Sequence, residues 1–323
     1  MLVGILVLVI GFIYYASSPV YSENTYNQIV QFSQESSKRD TITVMSYNIG
    51  YMSGMTNNRP IPRTRKLFDG NLEKSIQLFN TYSPDIIGLQ EVDFNADRSF
   101  NRNQSDSLAV SGGFSHAQIS VNWDKKYVPF PYYPLSMHFR EILSGQSILS
   151  KFPIVESERI VLPGQVNPNY FYNLFYIDRL IQISKIDLGE QFLYVLNVHL
   201  EAYDKDARAR QAEIVVDYFS KYSSDFPTIL IGDFNAEPYG ENSSDRTFDI
   251  IMSARNIAHA FNKDQLLVNP EQWSTYSSED PTVKIDYIFY SKDKITPLKY
   301  KVLREAVDIS DHLPILFSFV ITE

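Results

Sequence analysis

Short apolar runs along this chain end repeatedly in clusters of polar residues. The stretch 41–45 leads into Ser46-Tyr47-Asn48-Ile49-Gly50, and 85–88 leads into Leu89-Gln90-Glu91-Val92. The same arrangement recurs at Asn197-Val198-His199-Leu200, Gly232-Asp233-Phe234-Asn235 and Ser310-Asp311-His312. Such residues at the end of a buried strand are costly unless a metal, a substrate or hydrogen-bond partners compensate. We therefore interpret these clusters as candidate pieces of one catalytic site.

The pattern outside these clusters predicts helices and strands of a single α/β body. Apolar residues recur at helical spacing in 71–82 and 204–222, which predicts two helices. β-Branched and apolar runs predict strands at 41–47, 85–90, 146–150, 179–186, 191–198, 227–232, 284–290 and 314–320. The stretch 93–145 is rich in Asn, Ser, Gly, Pro and Tyr, so we predict long loops with short elements there.

The beginning of the chain differs from this body in composition. Residues 1–16 carry no charged side chain, and we predict that 1–21 are a signal peptide or a membrane anchor. Cleaved signal and uncleaved anchor both stay open, and a buried core helix is the alternative to either. The polar residues 22–40 are predicted to be a tether, and 41–323 the catalytic domain. An exported, extracytoplasmic protein is therefore expected, either secreted or anchored to the cell membrane.

Composition narrows the function classes. The chain has 323 residues and no cysteine, which excludes a disulfide framework, a thiolate nucleophile and a zinc–cysteine site. Its net charge of -9 argues against tight non-specific binding to nucleic acid, which normally uses a basic face. A bound divalent metal would nevertheless supply positive charge locally.

The oxygen-bearing side chains of three clusters suggest a metal site. Glu91 is a hard oxygen ligand, and Asn48 and Asp311 are its candidate companions. Such a set suits Mg²⁺, Mn²⁺ or Ca²⁺ better than zinc. Mg²⁺, with Mn²⁺ as a substitute, is our prediction, because Mg²⁺ keeps coordination positions for water and phosphate oxygens.

The remaining cluster residues suggest acid–base chemistry. His199 and His312 can donate protons or act as charged hydrogen-bond donors to a phosphoryl group. Asp286 lies at the centre of a predicted strand, a position that makes sense if it orients His312. Asp233 and Asn235 alternate along one edge and are candidates to position the attacking water. Metal-assisted hydrolysis of a phosphoester is the reaction class that fits.

Seven motifs over residues 41–320 resemble those of the endonuclease/exonuclease/phosphatase superfamily, which has the deoxyribonuclease I-like fold. They are Ser46-Tyr47-Asn48-Ile49-Gly50, Gln90-Glu91-Val92, 144–154, Asn197-Val198-His199-Leu200, Gly232-Asp233-Phe234-Asn235, Ile285-Asp286-Tyr287-Ile288 and 310–314. They occur in the order that the superfamily has. The resemblance implies an α/β fold, a four-layer α/β/β/α sandwich of two packed, mainly antiparallel sheets, with the site at one sheet end.

The resemblance also implies roles for individual residues. Glu91 would bind the essential metal, with Asn48 and Asp311 nearby. His312, held by Asp286, would be a catalytic base or a phosphate ligand. His199 would contact the scissile phosphate, and Asp233 with Asn235 would orient water and the transition state. One position departs from some DNA-repair members, which carry an acidic residue where this chain has Gly50.

The substrate is left open by the sequence. Arg98, His138 and Arg179 are candidate substrate-binding residues, and the aromatic stretch 123–134 suits stacking on bases, a lipid headgroup or a membrane. A phosphoester in nucleic acid or a lipid headgroup is the expected partner, and no protein partner is evident. The main hypothesis is a nuclease-like phosphodiesterase; the alternatives are a phospholipid or sphingolipid phosphodiesterase, a phosphatase, and a non-catalytic binding module.

Overall fold

Two β-sheets lie face to face in the computed structural model, which describes residues 2–33, 39–57, 59–166, 169–238 and 244–322. The strands are β1 (Asn27–Gln31), β2 (Ile42–Asn48), β3 (Ile86–Ala96), β4 (His116–Val128), β5 (Arg140–Ser150), β6 (Ile154–Val161), β7 (Leu180–Asp187), β8 (Phe192–His199), β9 (Thr228–Asp233), β10 (Ile257–His259), β11 (Asp286–Ser291), β12 (Ile295–Val302) and β13 (Ile315–Ile321). One sheet has the order β1-β4-β5-β3-β2-β13-β12 and the other β10-β11-β9-β8-β7-β6. The pairs β2/β3 and β8/β9 are parallel, and the other pairs are antiparallel.

The helices lie mainly outside the two sheets. They are α1 (Leu2–Ser17), α2 (Arg65–Tyr82), α3 (Gln104–Ser111), α4 (Tyr170–Phe175), α5 (Lys205–Ser223), α6 (Thr247–Met252), α7 (Lys263–Val268) and α8 (Pro270–Trp273). The α2 helix begins before the predicted 71–82, because Thr64 caps its start by accepting a hydrogen bond from the Leu67 N–H. Asp204 likewise caps α5, which confirms the helix predicted at 204–222.

The packing of β9 illustrates how the layers are built. Ile229 and Ile231 pack with the seven-stranded sheet, whereas Leu230 packs with Phe219 of α5, because successive side chains of a strand point to opposite faces. Helices α2 and α3 cover the outer face of the seven-stranded sheet in the same way. The four-layer α/β/β/α sandwich predicted from the sequence is therefore confirmed.

Two predictions about the chain outside the clusters are wrong. Part of the predicted tether at 22–40 is a strand, because β1 pairs antiparallel with β4; residues 34–38 of it lie outside the described ranges. The stretch 93–145 contains α3, all of β4 and half of β5 rather than long loops. Its polar side chains obscured the strands because many of them are buried and hydrogen-bonded, as Ser144 Oγ is to Asp93 Oδ1 at 2.7 Å.

A polar bridge joins the two sheets directly beneath the polar clusters. Gln90 Nε2 of β3 donates to Asn197 Oδ1 of β8 at 2.6 Å, and Asn197 Nδ2 donates to the Leu89 carbonyl at 3.0 Å. Both side chains are fully buried, where a polar group without a hydrogen-bond partner would be costly. The hydrogen bonds of the bridge reduce this cost. It fixes the register between the strand ends that carry Glu91 and His199.

The N-terminal helix α1 contacts the body mainly at its C-terminal end. Lys125 Nζ donates to the Ser17 carbonyl at 3.0 Å, and Asp124 accepts from the N–H groups of Val20 and Tyr21 at 2.8 Å each. Most of the large apolar side chains of α1 are exposed. Among the helices of the described residues, none combines the length and the apolar character needed to cross a membrane.

Candidate active site

Strand pairing brings the predicted catalytic residues of the six-stranded sheet together. Asp233, the last residue of β9, pairs with His199 at the end of β8 and with Asp286 at the start of β11. Gly232 permits this close approach, because its φ is +145° and a Cβ there would lie 2.0 Å from the Val198 carbonyl oxygen. The glycine of the Gly-Asp-Phe-Asn motif is therefore required by backbone contact.

A buried acid–base cluster forms around His312. Its Nδ1 lies 3.0 Å from Asp286 Oδ2, and its Nε2 lies 3.7 Å from Asp233 Oδ2. His199 Nε2 approaches the same Asp233 oxygen at 3.5 Å. Ligand atoms of Asp233, Asp286 and His312 all lie within 4.8 Å of one another, a spacing that would also admit a cation. The geometry fits the predicted role of Asp286, which orients the His312 ring.

A pair of carboxylates lies on the other side of the site. Asn57 Nδ2 donates to Glu91 Oε2 at 2.9 Å and approaches Asp311 Oδ1 at 3.3 Å. The amide nitrogen thus bridges the two carboxylates predicted to bind metal. Asn57 was missed by the sequence analysis because it lies in a loop, without a strand or a motif to draw attention to it.

Asn48 connects the carboxylate pair to the acid–base cluster. Its Nδ2 lies 3.4 Å from Glu91 Oε1, 3.0 Å from Asp233 Oδ2 and 3.4 Å from His312 Nε2. Its Oδ1 accepts from the Gly50 N–H at 3.1 Å. In this rotamer Asn48 presents its amide nitrogen to the acidic groups, and its predicted role as a metal ligand stays a prediction.

Two of the site residues have left-handed backbone conformations. Glu91 has a φ of 53° and Asn235 a φ of 51°. The register between β3 and β5 shifts between Leu89 and Val92, which is the mark of a β-bulge at Glu91. Asn235 is held by its own N–H, which donates to Asp233 Oδ1 at 2.9 Å, and by its Nδ2, which donates to the Leu200 carbonyl at 3.1 Å. Backbone strain of this kind is common where a structure fixes functional side chains.

The two histidines have opposite pKa shifts. Burial lowers the pKa of His199 well below its ordinary value, and the positive charges of Arg179 and His312 lower it further. Burial also acts to lower the pKa of His312, but Asp286 and then Asp233 hold it well above its ordinary value. At neutral pH His199 is therefore neutral and His312 is an imidazolium.

The acidic groups of the site are shifted as well. Burial raises the pKa of Asp233 to about 7, although the His312 charge opposes the shift. Burial and the nearby Asp311 carboxylate raise the pKa of Glu91. A carboxylate whose pKa lies near neutrality suits general-base work. The half-buried carboxylates of Glu91 and Asp311, which repel each other, suit a divalent cation.

Arg179 is brought to the edge of this site. It directly precedes Leu180, which pairs with His199, and its Nε lies 3.5 Å from Glu201 Oε2. Tyr176 Oη receives a hydrogen bond from Arg179 at 3.0 Å and donates to Glu201 at 2.8 Å. The sequence analysis missed Glu201, whose position two residues after His199 was the available signal.

The other two candidate substrate-binding residues, Arg98 and His138, contact other side chains of the protein. Arg98 donates to both carboxylate oxygens of Asp93, at 3.0 and 2.7 Å, and its guanidinium lies 3.5 Å from the centre of the Tyr51 ring. His138 lies in the β4–β5 connection, and its Nδ1 is 2.8 Å from Tyr127 Oη of β4. Arg98 therefore stabilises the loop after β3, and His138 stabilises the β4–β5 connection.

Solved structures share this fold over most of the chain. An endonuclease/exonuclease/phosphatase from Beutenbergia cavernae matches with a TM-score of 0.66 at 19% identity, over 88% of this chain and 72% of that one. The human Nocturnin catalytic domain with bound sulfate matches with a TM-score of 0.59 at 19% identity, over 94% and 99%. TDP2 from D. rerio with a single-strand DNA product matches with a TM-score of 0.58 at 16% identity, over 87% and 99%.

Sequence comparison gives the family. No curated protein sequence matches the chain. The family model described as Endonuclease/Exonuclease/phosphatase family matches residues 45–312, a range that begins within β2 and ends at His312. This range contains Glu91, His199 and Asp233 as well, so the match and the site geometry concern the same residues. The chain therefore belongs to the endonuclease/exonuclease/phosphatase family.

Proposed function

We propose that this protein is a Mg²⁺-dependent hydrolase of phosphoester bonds, with Mn²⁺ as a possible substitute metal. Members of its family hydrolyse phosphoesters and generally need a divalent metal. The observation that carries the proposal is the position of Asn48 Nδ2 between Glu91 on one side and the Asp233–His312 pair on the other. A carboxylate site for a cation and a charged histidine thus face a common centre.

The donor set fits a hard divalent cation. Glu91 and Asp311 supply carboxylate oxygens, and the Asn57 amide now lies between them. Because burial and mutual repulsion raise the pKa of Glu91, a cation near this carboxylate would be bound favourably. Bound there, Mg²⁺ would supply Lewis-acid polarisation of a phosphoryl oxygen.

The chain's own residues would carry the proton transfers. Asp233 accepts a proton from the attacking water, which forms the new P–O bond as the P–O bond to the leaving group breaks. His312 as an imidazolium donates its proton to the leaving oxygen, and Asp286 stabilises the charged ring before transfer. Neutral His199 donates a hydrogen bond to a phosphoryl oxygen. Asn235 fixes the orientation of Asp233 through its backbone N–H.

We further propose that the protein is exported and contacts a membrane through residues 1–21. Within α1, Leu2 is 81% and Leu8 74% exposed, although the helix carries no charge. Phe12 of α1 contacts the Tyr127 ring, with 5.6 Å between centroids, and Tyr127 contacts His138 near the exposed tip of the β4–β5 connection. That tip carries further exposed apolar side chains: Tyr132, Tyr133 and Leu135. An uncharged helix beside an exposed aromatic tip favours a lipid surface.

The surface formed by α1 and the tip of the β4–β5 connection favours phosphoesters of lipids over those of nucleic acid. The net charge of -9 favours them as well. Nuclease activity is the second candidate, because the solved TDP2 structure holds a single-strand DNA product. Nicking of supercoiled plasmid by the wild type, absent in His312→Ala and in EDTA, would favour the nuclease. Release of phosphorylated headgroup from mixed phospholipid vesicles under the same conditions would favour the lipid hydrolase.

Hydrolysis of methyl p-nitrophenyl phosphate tests the reaction itself. We expect Mg²⁺-dependent release of p-nitrophenolate by the wild type and a loss of at least about 10²-fold in Glu91→Gln and His312→Ala. Calorimetric titration with Mg²⁺ should give binding to the wild type and none to Glu91→Gln. Near-normal turnover by either variant would overturn the site assignment, and a folded wild type that binds no metal would favour a non-catalytic binding module.

Vesicle flotation tests the membrane proposal. The full chain should float with phosphatidylcholine vesicles, whose neutral surface does not repel a chain of net charge -9, and Leu8→Asp in α1 should reduce the floated fraction. Val110→Asp in α3 is the matched control, since Val110 is also exposed, at 64%, but lies on another helix. Equal flotation of both variants would exclude α1 as the contact.

A further inference from the structure

A cavity of about 280 Å³ lies beside the active site. Arg179 and Glu201, which flank His199, form one side, and Trp123, Lys125 and Arg159 line other parts. Its volume lies near the lower end of the range for small-molecule sites, which begins at about 300 Å³. The cavity is therefore large enough for one small group attached to a phosphate that reacts at His199.

The charges around this cavity are balanced. Three cationic side chains line it, and so do three acidic ones: Lys125, Arg159, Arg179, Asp124, Asp178 and Glu201. Such a lining offers neither a net positive field for a second phosphate nor a net negative field for an amine. It suits a ligand that carries hydrogen-bond donors and acceptors without net charge.

Two of the acidic side chains already accept hydrogen bonds from the protein, so a ligand would bind to the remaining polar groups of the cavity. Asp124 accepts from the Val20 and Tyr21 N–H groups and from Tyr26 Oη, each at 2.8 Å. Glu201 is held by Tyr176 and by Gln165, whose Nε2 donates to it at 2.9 Å. These two carboxylates build the walls of the cavity.

The Asp178 carboxylate is the accessible acceptor of the cavity. Its side chain is exposed, and within the described ranges it receives no hydrogen bond. Arg159 also lines the cavity; its Nε donates to the Val121 carbonyl at 2.6 Å, and its two terminal nitrogens carry further N–H donors. Lys125 contacts the Ser17 carbonyl and retains further N–H donors. An acceptor and two donors thus converge on the cavity.

The aromatic rings of the cavity argue against a cationic ligand. The Arg159 guanidinium lies 5.3 Å from the centre of the Tyr26 ring, and that of Arg179 lies 5.6 Å from the centre of the Tyr176 ring. A quaternary ammonium would normally be recognised by such ring faces. Here both rings already contact a positive side chain, and so does Trp123, whose ring centre lies 5.0 Å from the Arg98 guanidinium.

We propose that this cavity binds the uncharged, polyhydroxylated part of the substrate, a sugar or polyol esterified to the reacting phosphate. Each hydroxyl of such a group can donate to the Asp178 carboxylate and accept from Arg159 or Lys125. The inference rests on the proposed phosphoester hydrolysis and adds the class of group that the phosphate carries. The neighbouring α1 helix ends at the same cavity, where Pro19 forms part of the wall.

Two chromogenic phosphodiesters that differ in one group test this inference. Methyl p-nitrophenyl phosphate and glucose 6-(p-nitrophenyl phosphate) release the same leaving group, so their kcat/KM ratio isolates recognition of the polyol. We expect the wild type to favour the glucose ester about tenfold or more, since charge-assisted hydrogen bonds are each worth at least that factor. Asp178→Ala should abolish this preference, and Asp178→Asn should reduce it.

Asp217→Ala is the matched control. Asp217 is exposed on α5, away from the cavity lining, so its loss removes the same charge and should leave the ratio between the esters unchanged. An equal ratio in the wild type and Asp178→Ala, or a preference for a choline ester over the glucose ester, would overturn the inference. Hydrolysis of the methyl ester would meanwhile leave the proposed reaction standing.

Binding without turnover separates the two proposals further. Calorimetry with glucose 6-(methyl phosphate) and the His312→Ala variant should show binding that weakens about tenfold when Asp178→Ala is added. This result would support the cavity even if the methyl ester is not hydrolysed. Equal affinity with and without Asp178 would count against the cavity, whatever the enzyme does.

Discussion

His312 Nδ1 and Asp286 Oδ2 lie 3.0 Å apart in a buried pair that joins β11 to the loop before β13. Asp286 is 1% and His312 5% exposed, so water screens this interaction little. The carboxylate holds the ring in one orientation and keeps Nε2 directed toward Asp233 and Asn48. The pair therefore provides a charged donor at the centre of the site at neutral pH.

Asp286→Asn tests this relationship, because it keeps the shape of the side chain and removes its charge. Since burial alone lowers the pKa of His312 and Asp286 raises it most, the pKa should fall in the variant. We expect kcat to drop by about 10²- to 10⁴-fold and the alkaline limb of the pH–rate profile to move to lower pH. A fall in kcat without movement of that limb would show that Asp286 acts only on packing.

The acid limb of the same profile should report Asp233. Burial raises the pKa of this carboxyl to about 7, and the proposed base must be deprotonated to accept a proton. We expect kcat/KM to rise with pH up to about pH 7 and to level off above it. Rates should be measured at two saturating Mg²⁺ concentrations, so that competition between protons and metal is excluded. A kcat/KM that does not change between pH 5 and 8 would show that Asp233 is not the general base.

Asn57→Ala should change how strongly Mg²⁺ stabilises the protein. The Asn57 amide lies between Glu91 and Asp311, and its loss leaves two half-buried carboxylates facing each other. We expect a destabilisation of about 1–3 kcal/mol in EDTA and a smaller one in saturating Mg²⁺. Thermal unfolding of both proteins with and without metal measures the difference. An equal loss of stability in EDTA and in Mg²⁺ would show that the cation does not bind where the Asn57 amide lies.

Much of the fold could be predicted from the sequence, because its central strands are apolar and end in recognisable motifs. β8 and β9, for example, have buried side chains throughout most of their length. The strands β1 and β4 could not be found in this way. Their polar side chains bond to one another across the pair, as Gln118 Nε2 does to Asn27 Oδ1 at 2.9 Å, and tertiary pairing overrides local composition.

The residues of the site also differ in whether the sequence could identify them. Glu91, Asp233 and His312 follow apolar strands or belong to motifs, so the sequence identifies them. Asn57 and the Tyr176–Glu201 contact come from loops whose positions depend on the folded chain. The bulge that gives Glu91 its φ of 53° likewise arises from pairing with β5, a partner more than fifty residues further along the chain.

Lys284 gives a prediction about stability that is independent of activity. It is buried beside the Asp286 backbone, where its Nζ donates to the Asp286 carbonyl at 3.0 Å and to Tyr300 Oη at 2.9 Å. Burial lowers the pKa of this ammonium from 10.5 to about 7, although the Asp286 charge opposes the shift. Between these two values the unfolded chain binds the proton more tightly than the folded protein does, so stability must increase as the pH rises.

Lys284→Met should remove this increase. We expect the free energy of unfolding of the wild type to rise between pH 7 and 9 relative to that of the variant, by at most about 1.4 kcal/mol per pH unit. Lys292→Met, at an exposed position, is the control and should behave like the wild type. Urea unfolding at pH 7, 8 and 9 measures all three proteins. Parallel curves for the wild type and Lys284→Met would mean that Lys284 keeps its proton in the folded protein, held there by Asp286 and by the Tyr287 and Tyr300 rings within 5.4 Å of its Nζ.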